Sequence, residues 1–128
     1  METKKKTTTV GKYLVDRLES IGIKHVFGIP GDFVIGLCEV IEKTENRVKW
    51  VGCCNELNAA YAADGYARIA GAGAVVTTFG VGELIAANGI AGAFVEHVPV
   101  VVITGSPPRS ARRSRAPVHH SIGDYDAP

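Results

Sequence analysis

Val51-Gly52-Cys53-Cys54-Asn55-Glu56-Leu57-Asn58-Ala59-Ala60 joins the end of an apolar run to the start of an Ala-rich stretch. Asparagine at 55 is a good N-cap, because its side-chain oxygen can accept from a backbone N–H that the first helical turn leaves free. The segment therefore reads as strand, cap, helix, with Glu56 at the first helical position. The same alternation extends in both directions. A helix is predicted from Val10, with Tyr13, Leu14, Leu18 and Ile21 as its apolar stripe and Gly22 as its stop. A strand over His25 to Ile29 follows, then the turn Pro30-Gly31-Asp32 and a helix to Lys43. Val48 to Gly52 reads as a strand and Asn55 to Ala70 as a helix. Ala74 to Phe79 is the next strand and Glu83 to Glu96 the next helix. Val98 to Thr104 is a last strand, ended by Gly105-Ser106-Pro107-Pro108. Strands alternating with helices imply right-handed crossovers, hence an α/β fold of three αβα layers around a mainly parallel sheet. The unbroken run Val100-Val101-Val102-Ile103 predicts a strand covered on both faces, although the C-terminal edge of the sheet is open to missing strands.

The bulk properties narrow the class. The chain has 128 residues, enough for one core, with 46% apolar residues and a net charge of +1. That balance gives no general pull towards nucleic acid or acidic lipid. The apolar stretch from Leu84 to Ile103 is interrupted by Asn88, Glu96, His97 and Pro99, so no membrane span is expected. Residues 1–8 read as a disordered polar leader, not a secretory signal, and residues 9–128 as one domain. Three cysteines, two of them adjacent in an apolar segment, suit free thiols in a reducing compartment, and a cytoplasmic location is expected. The arginines at 109, 112, 113 and 115 lack periodicity, and residues 106–118 are read as a solvated basic loop.

In an open parallel sheet, ligands gather at the carboxyl ends of the strands. Asp32 follows the first strand, Glu56 the second, and Gly80-Val81-Gly82-Glu83 the third, so two or three carboxylates can share one rim. Each has a plainer reading. Asp32 can be a helix cap, contributing about 1 kcal/mol, and Glu56 can simply complement the helix dipole, for about 0.3–1 kcal/mol. Gly80-Val81-Gly82 is rejected as a dinucleotide loop, since the third glycine position is Ile85 and Glu83 would repel phosphate. The pair His119-His120, beside Asp124 and Asp126, can ligate metal, lie in a solvated loop or move protons. Zinc, with Cys53-Cys54 as thiolates, is disfavoured because adjacent side chains diverge. Ala86 to Phe94, rich in small residues, can be an association surface or an ordinary buried helix.

Four ordered runs carry a resemblance. They are Val26-Phe27-Gly28-Ile29-Pro30-Gly31-Asp32-Phe33, Asn55-Glu56-Leu57-Asn58 continuing to Arg68, Thr77-Thr78-Phe79-Gly80-Val81-Gly82-Glu83-Leu84 and His119-His120-Ser121-Ile122-Gly123-Asp124. Together they resemble the N-terminal, pyrimidine-binding domain of thiamine-diphosphate-dependent 2-oxo acid decarboxylases, nearest the pyruvate and indolepyruvate types. The tandem histidines set this branch apart from acetolactate-synthase-like members. The resemblance implies that Glu56 binds and protonates the aminopyrimidine ring of thiamine diphosphate. It further implies that Asp32, His119 and His120 handle protons in the later steps. A 2-oxo acid is the implied substrate, and a homodimer or homotetramer the implied assembly. Magnesium and the diphosphate would be held by a domain not contained in these residues, so the chain would be inactive alone. The alternative is a non-catalytic fragment that associates with full-length decarboxylase subunits. Two features depart from the family pattern: Gly123-Asp124-Tyr125-Asp126 lacks a second glycine, and the segment before His119 is unusually basic.

Overall fold

The computed structural model describes residues 7–43 and 47–122. The second glycine position and the acids at 124 and 126, discussed above, lie outside that range, as do residues 1–6 of the leader. Nine elements alternate along the chain: α1 (Val10–Ser20), β1 (His25–Gly28), α2 (Ile35–Lys43), β2 (Lys49–Gly52), α3 (Glu56–Ala70), β3 (Gly73–Thr77), α4 (Val81–Val95), β4 (Val100–Thr104) and α5 (Arg109–Ser114). The four strands form one parallel sheet in the order β2-β1-β3-β4. The α/β, three-layer reading holds.

Side chains alternate across a strand, and this alternation divides the core. Val26, Ala74 and Val76 face one way and join Val15, Leu18, Ile23, Val34, Cys38 and Ile41 beneath α1 and α2. Val75, with Phe27 against it, faces the other way, onto Ala59 and Ala63 of α3. Alanines let this second layer come close. Ala59, Ala60, Ala63 and Ala67 are the buried positions of α3, and α4 lies on the same helix through Gly82, Ala86, Gly89 and Ala93. At the closest point a Cβ on Gly89 would stand 2.6 Å from the Cβ of Ala60. The small residues of α4 thus face inwards, and its large ones, Leu84, Ile85, Phe94 and Val95, are exposed.

Several expectations are corrected. The buried stripe of α1 is Val15 and Leu18, with Leu14 at its margin. Tyr13 and Ile21 are more than half exposed, because α1 turns Gly11 towards Val40 of α2 and rotates those two outwards. β4 is not covered on both faces: it is an edge strand among the described residues and Val102 is 40% exposed. Residues 109–114 form a helical turn and a half, not a loop. Pro108 precedes it with the fixed φ that suits a helix start, and Arg and Ala are good helix formers. With no buried residue, α5 leaves no apolar period to read. No helix of the described residues is long and apolar enough to cross a membrane.

Two stability measurements test this packing. Gly89→Val forces a branched side chain into the α3–α4 contact and should cost about 1–3 kcal/mol in urea unfolding. Asn55→Ala removes the cap of α3 and should cost about 1 kcal/mol. An unchanged midpoint for Gly89→Val would contradict the close helix crossing.

Candidate functional site

The sheet order creates a crevice. From β1 the chain moves outwards to β2 through α2, on one face; from β2 it returns across β1 to β3 through α3, on the other. The winding reverses between β1 and β3, so the segments leaving these two strands diverge to opposite faces, and a groove opens at their carboxyl ends. The residues at that mouth are Pro30-Gly31-Asp32-Phe33 after β1 and Thr78-Phe79-Gly80 after β3. The β2–α3 junction, with Glu56, adjoins them on the far side of β1.

Glu56 is in the first turn of α3, behind the Asn55 cap, whose side-chain oxygen accepts from the N–H of Asn58 at 2.9 Å. The cap continues backwards, since the Asn58 side chain accepts from the N–H of Cys54 at 3.2 Å. These bonds fix where Glu56 emerges. Its side chain is half-buried and directed to α4: a Cβ on Gly82 would stand 3.2 Å from Glu56 Oε1. A Cβ there would also stand 2.7 Å from the Thr78 methyl, so Gly82 lets α4 come close to both side chains.

Asp32 is not a helix cap. Gly31 accepts from Val34 and Ile35 to close the turn before α2, and the Asp32 carboxylate is left to reach across the mouth. It meets His119, whose Nε2 lies 3.0 Å from Asp32 Oδ2, with both side chains more than half exposed. His119 and His120 lie near each other, with ring centroids 4.5 Å apart. Phe33 packs on His119 at 5.6 Å and Phe79 faces His120 edge-on at 6.4 Å, while Phe33 and Phe79 contact each other at 5.1 Å. Four rings thus line the mouth, two apolar and two able to move protons. His120 has φ of 70°, and Gly80, itself at φ 63°, meets its carbonyl oxygen; any Cβ at 80 would collide there. Gly80 is therefore what lets the histidine segment close over the end of β3.

The third acid expected at the rim has another task. Glu83 Oε1 accepts from the N–H of Gly80 at 2.8 Å, capping α4 and holding the Gly80 turn. Burial pushes the Cys53 thiol above its ordinary range, which keeps it neutral and a poor metal ligand. Among the described residues, no three of His, Cys, Asp and Glu converge as a metal site. Thr78, only 4% exposed, has a hydroxyl oxygen with no hydrogen-bond partner among the described residues. Sequence reasoning assigned no part to Phe33, Phe79 or Thr78. Their signal was position: each adjoins a marked turn residue at the end of β1 or β3.

The arrangement offers a half-buried carboxyl at a helix start and an imidazole–carboxylate pair at the neighbouring strand end. It can bind a nitrogen heterocycle by hydrogen bonds and exchange protons with what lies beside it. Comparison with known proteins agrees with that chemistry. The profile of the family described as thiamine pyrophosphate enzyme, N-terminal TPP binding domain, matches residues 8–126. A candidate pyruvate decarboxylase of Schizosaccharomyces pombe is 55% identical over 118 residues, 91% of this chain and 21% of that protein. An alpha-keto-acid decarboxylase of Mycobacterium leprae is 54% identical over 118 residues, 92% of this chain and again 21% of that protein. The chain spans about a fifth of the length of these curated relatives. With nearly all of its residues matched, and the turns that build the crevice among them, this chain belongs to the thiamine pyrophosphate enzymes as their N-terminal TPP-binding domain.

Proposed function

We propose that this chain supplies the pyrimidine-binding half of a 2-oxo acid decarboxylase of the pyruvate or indolepyruvate type, which releases carbon dioxide and an aldehyde. The observation that carries the reading is the direction of Glu56: a half-buried carboxyl at the start of α3, aimed at Gly82 of α4. The residues fit thiamine diphosphate by the chemistry of the donor set, since a half-buried carboxyl at a helix start can hydrogen-bond a pyrimidine nitrogen. Thiamine diphosphate, when bound, supplies the electron sink that lets a 2-oxo acid lose its carboxylate.

The chain's own residues divide the remaining work. Glu56 binds the pyrimidine ring by a hydrogen bond from its carboxyl and holds a proton at the ring nitrogen facing it. Asp32 orients His119 through the Nε2–Oδ2 contact. His119 and His120 then give and take protons near neutrality, at the carbon and oxygen atoms that become the aldehyde. Phe33 and Phe79 fix the two imidazole rings by edge and face contacts. Magnesium would enter with the diphosphate, held by a domain beyond the matched fifth of the relatives. The working assembly would be a homodimer or homotetramer in the cytoplasm.

A second reading is favoured by one observation. Leu84 and Ile85 near the start of α4 and Phe94 and Val95 at its end are exposed, and large apolar side chains held in water can mark contact sites. On this reading the chain is a non-catalytic partner of full-length decarboxylase subunits. Size-exclusion chromatography with a complete subunit separates the two: co-elution without any effect of Glu56→Gln on turnover favours the partner role.

The catalytic reading is tested by complementation. The chain is mixed with a polypeptide carrying the remaining length of the Schizosaccharomyces pombe relative, thiamine diphosphate, magnesium and pyruvate. Aldehyde should form from the mixture and from neither part alone. Glu56→Gln should lower the rate by about 10²-fold or more, the usual range for a lost acid–base group. Asp32→Asn should lower turnover while leaving the cofactor concentration for half-activation within a few-fold. Equal rates with and without the Glu56 carboxyl would remove the proposed chemistry.

A further inference from the structure

Thr77 and Thr78 are adjacent, both buried, and differ in one respect. The Thr77 hydroxyl lies 3.4 Å from the hydroxyl of Thr104, whereas Thr78 Oγ1 has no partner among the described residues. A buried hydroxyl without a hydrogen bond is costly, so its retention needs a reason. The surroundings supply one. Thr78 is wedged between two glycines. Its Oγ1 is on the side of Gly31, 3.5 Å from where a Cβ would stand, and its methyl Cγ2 is on the side of Gly82, at 2.7 Å. The other group facing that same point beside Gly82 is Glu56 Oε1, at 3.2 Å. Thr78 therefore separates the turn that carries Asp32 from the Glu56 carboxyl, with its polar atom on the side that offers it no partner.

A 120° turn about χ1, between staggered wells, carries the threonine hydroxyl into the place of its methyl and the methyl into that of the Cβ hydrogen. That turn would bring the hydroxyl to the Gly82 side, facing Glu56 Oε1, and would satisfy the orphaned oxygen. We propose that Thr78 is a positioning residue for Glu56: its hydroxyl turns to donate to the ionised carboxyl and turns back towards Gly31 when the carboxyl needs no donor. A hydrogen bond from a neutral donor to a charged acceptor is roughly twice as strong as one between neutral groups. The switch would therefore favour the Glu56 carboxylate that remains once its proton has passed to a ligand. Gly31 and Gly82 provide the room on each side, since a Cβ at either would press on Thr78. The inference deepens the decarboxylase reading where turnover is concerned, but the rotamer itself belongs to this chain alone.

Two measurements test it. In the ligand-free 128-residue chain, three-bond couplings to Thr78 Cγ2 report χ1 directly. The wild type at neutral pH should populate the rotamer that places the hydroxyl towards Glu56, and Glu56→Ala should return Thr78 to the Gly31 side. One unchanging rotamer in both proteins would overturn the proposal, whatever the reaction proves to be. In the complemented assembly described above, Thr78→Val should lower turnover about tenfold, the loss expected for one hydrogen bond to a charged group. Thr78→Ser should stay within threefold of wild type, and Thr78→Val should add nothing in a Glu56→Gln background. Additive losses in that double variant would overturn the positioning role. If Glu56→Gln itself is harmless, the decarboxylase reading fails and the coupling result still stands or falls separately. Because the proposal has the hydroxyl donating to Glu56 in the ligand-free chain at neutral pH, Thr78→Val should melt at a lower temperature than Thr78→Ser, and equal melting temperatures would count against it. If Thr78→Val fails to fold, the pair Thr78→Ser and Thr78→Ala, which differ only in the hydroxyl, carries the same comparison.

Discussion

The site depends on one topological constraint: the chain reverses its winding direction between β1 and β3. Two neighbouring parallel strands then send their following segments to opposite faces, and their strand-end residues meet above the sheet. The strand ends carry Asp32 after β1, Glu56 after β2 and Gly80 after β3, while His119 and His120 arrive from the segment after α5. The crevice needs close packing on the α3–α4 side to hold its width. Alanines at 59, 60, 63 and 67 and glycines at 82 and 89 supply it by letting helix backbones and sheet approach. The apolar interior follows the same plan, with Val75 on one face and Val26, Ala74 and Val76 on the other.

Much of this was legible in the residue order, for physical reasons. Strand and helix alternate with strong punctuation, and the Asn55 cap marks the β2–α3 junction without ambiguity, because a backbone donor there has few other acceptors. Glu56 at the first helical position followed directly. What failed to show had no local signal. The half-exposed face of β4 depends on its place at the sheet edge, and Val100 to Ile103 read the same whether covered once or twice. α5 buries nothing, so it leaves no period. The Asp32–His119 pair joins residues far apart in sequence, and only the fold sets their distance. Glu83 was taken for a rim acid because its capping role depends on the Gly80 turn, which positive φ alone makes possible.

The family shown for the chain is that of the thiamine pyrophosphate enzymes, and the chain spans about a fifth of its curated relatives. About four-fifths of each relative has no counterpart in these residues, and the exposed apolar side chains of α4 are ones that such additional protein could cover. The site itself is organised in advance of any such partner. The Asn55 cap, the close approach at Gly82 and the paired rings of Phe33, Phe79, His119 and His120 are all internal to the chain. Preorganised groups of this kind spare a catalyst the cost of arranging them at the moment of reaction.

The most direct test of the account is the exchange of the cofactor's thiazolium C2 proton for deuterium in the complemented assembly, followed by rapid quench and NMR. If the Glu56 carboxyl passes a proton to the pyrimidine ring, exchange should be fast with the wild-type chain and about 100-fold slower or worse with Glu56→Gln. Equal exchange rates in the two, with cofactor bound in both, would contradict it.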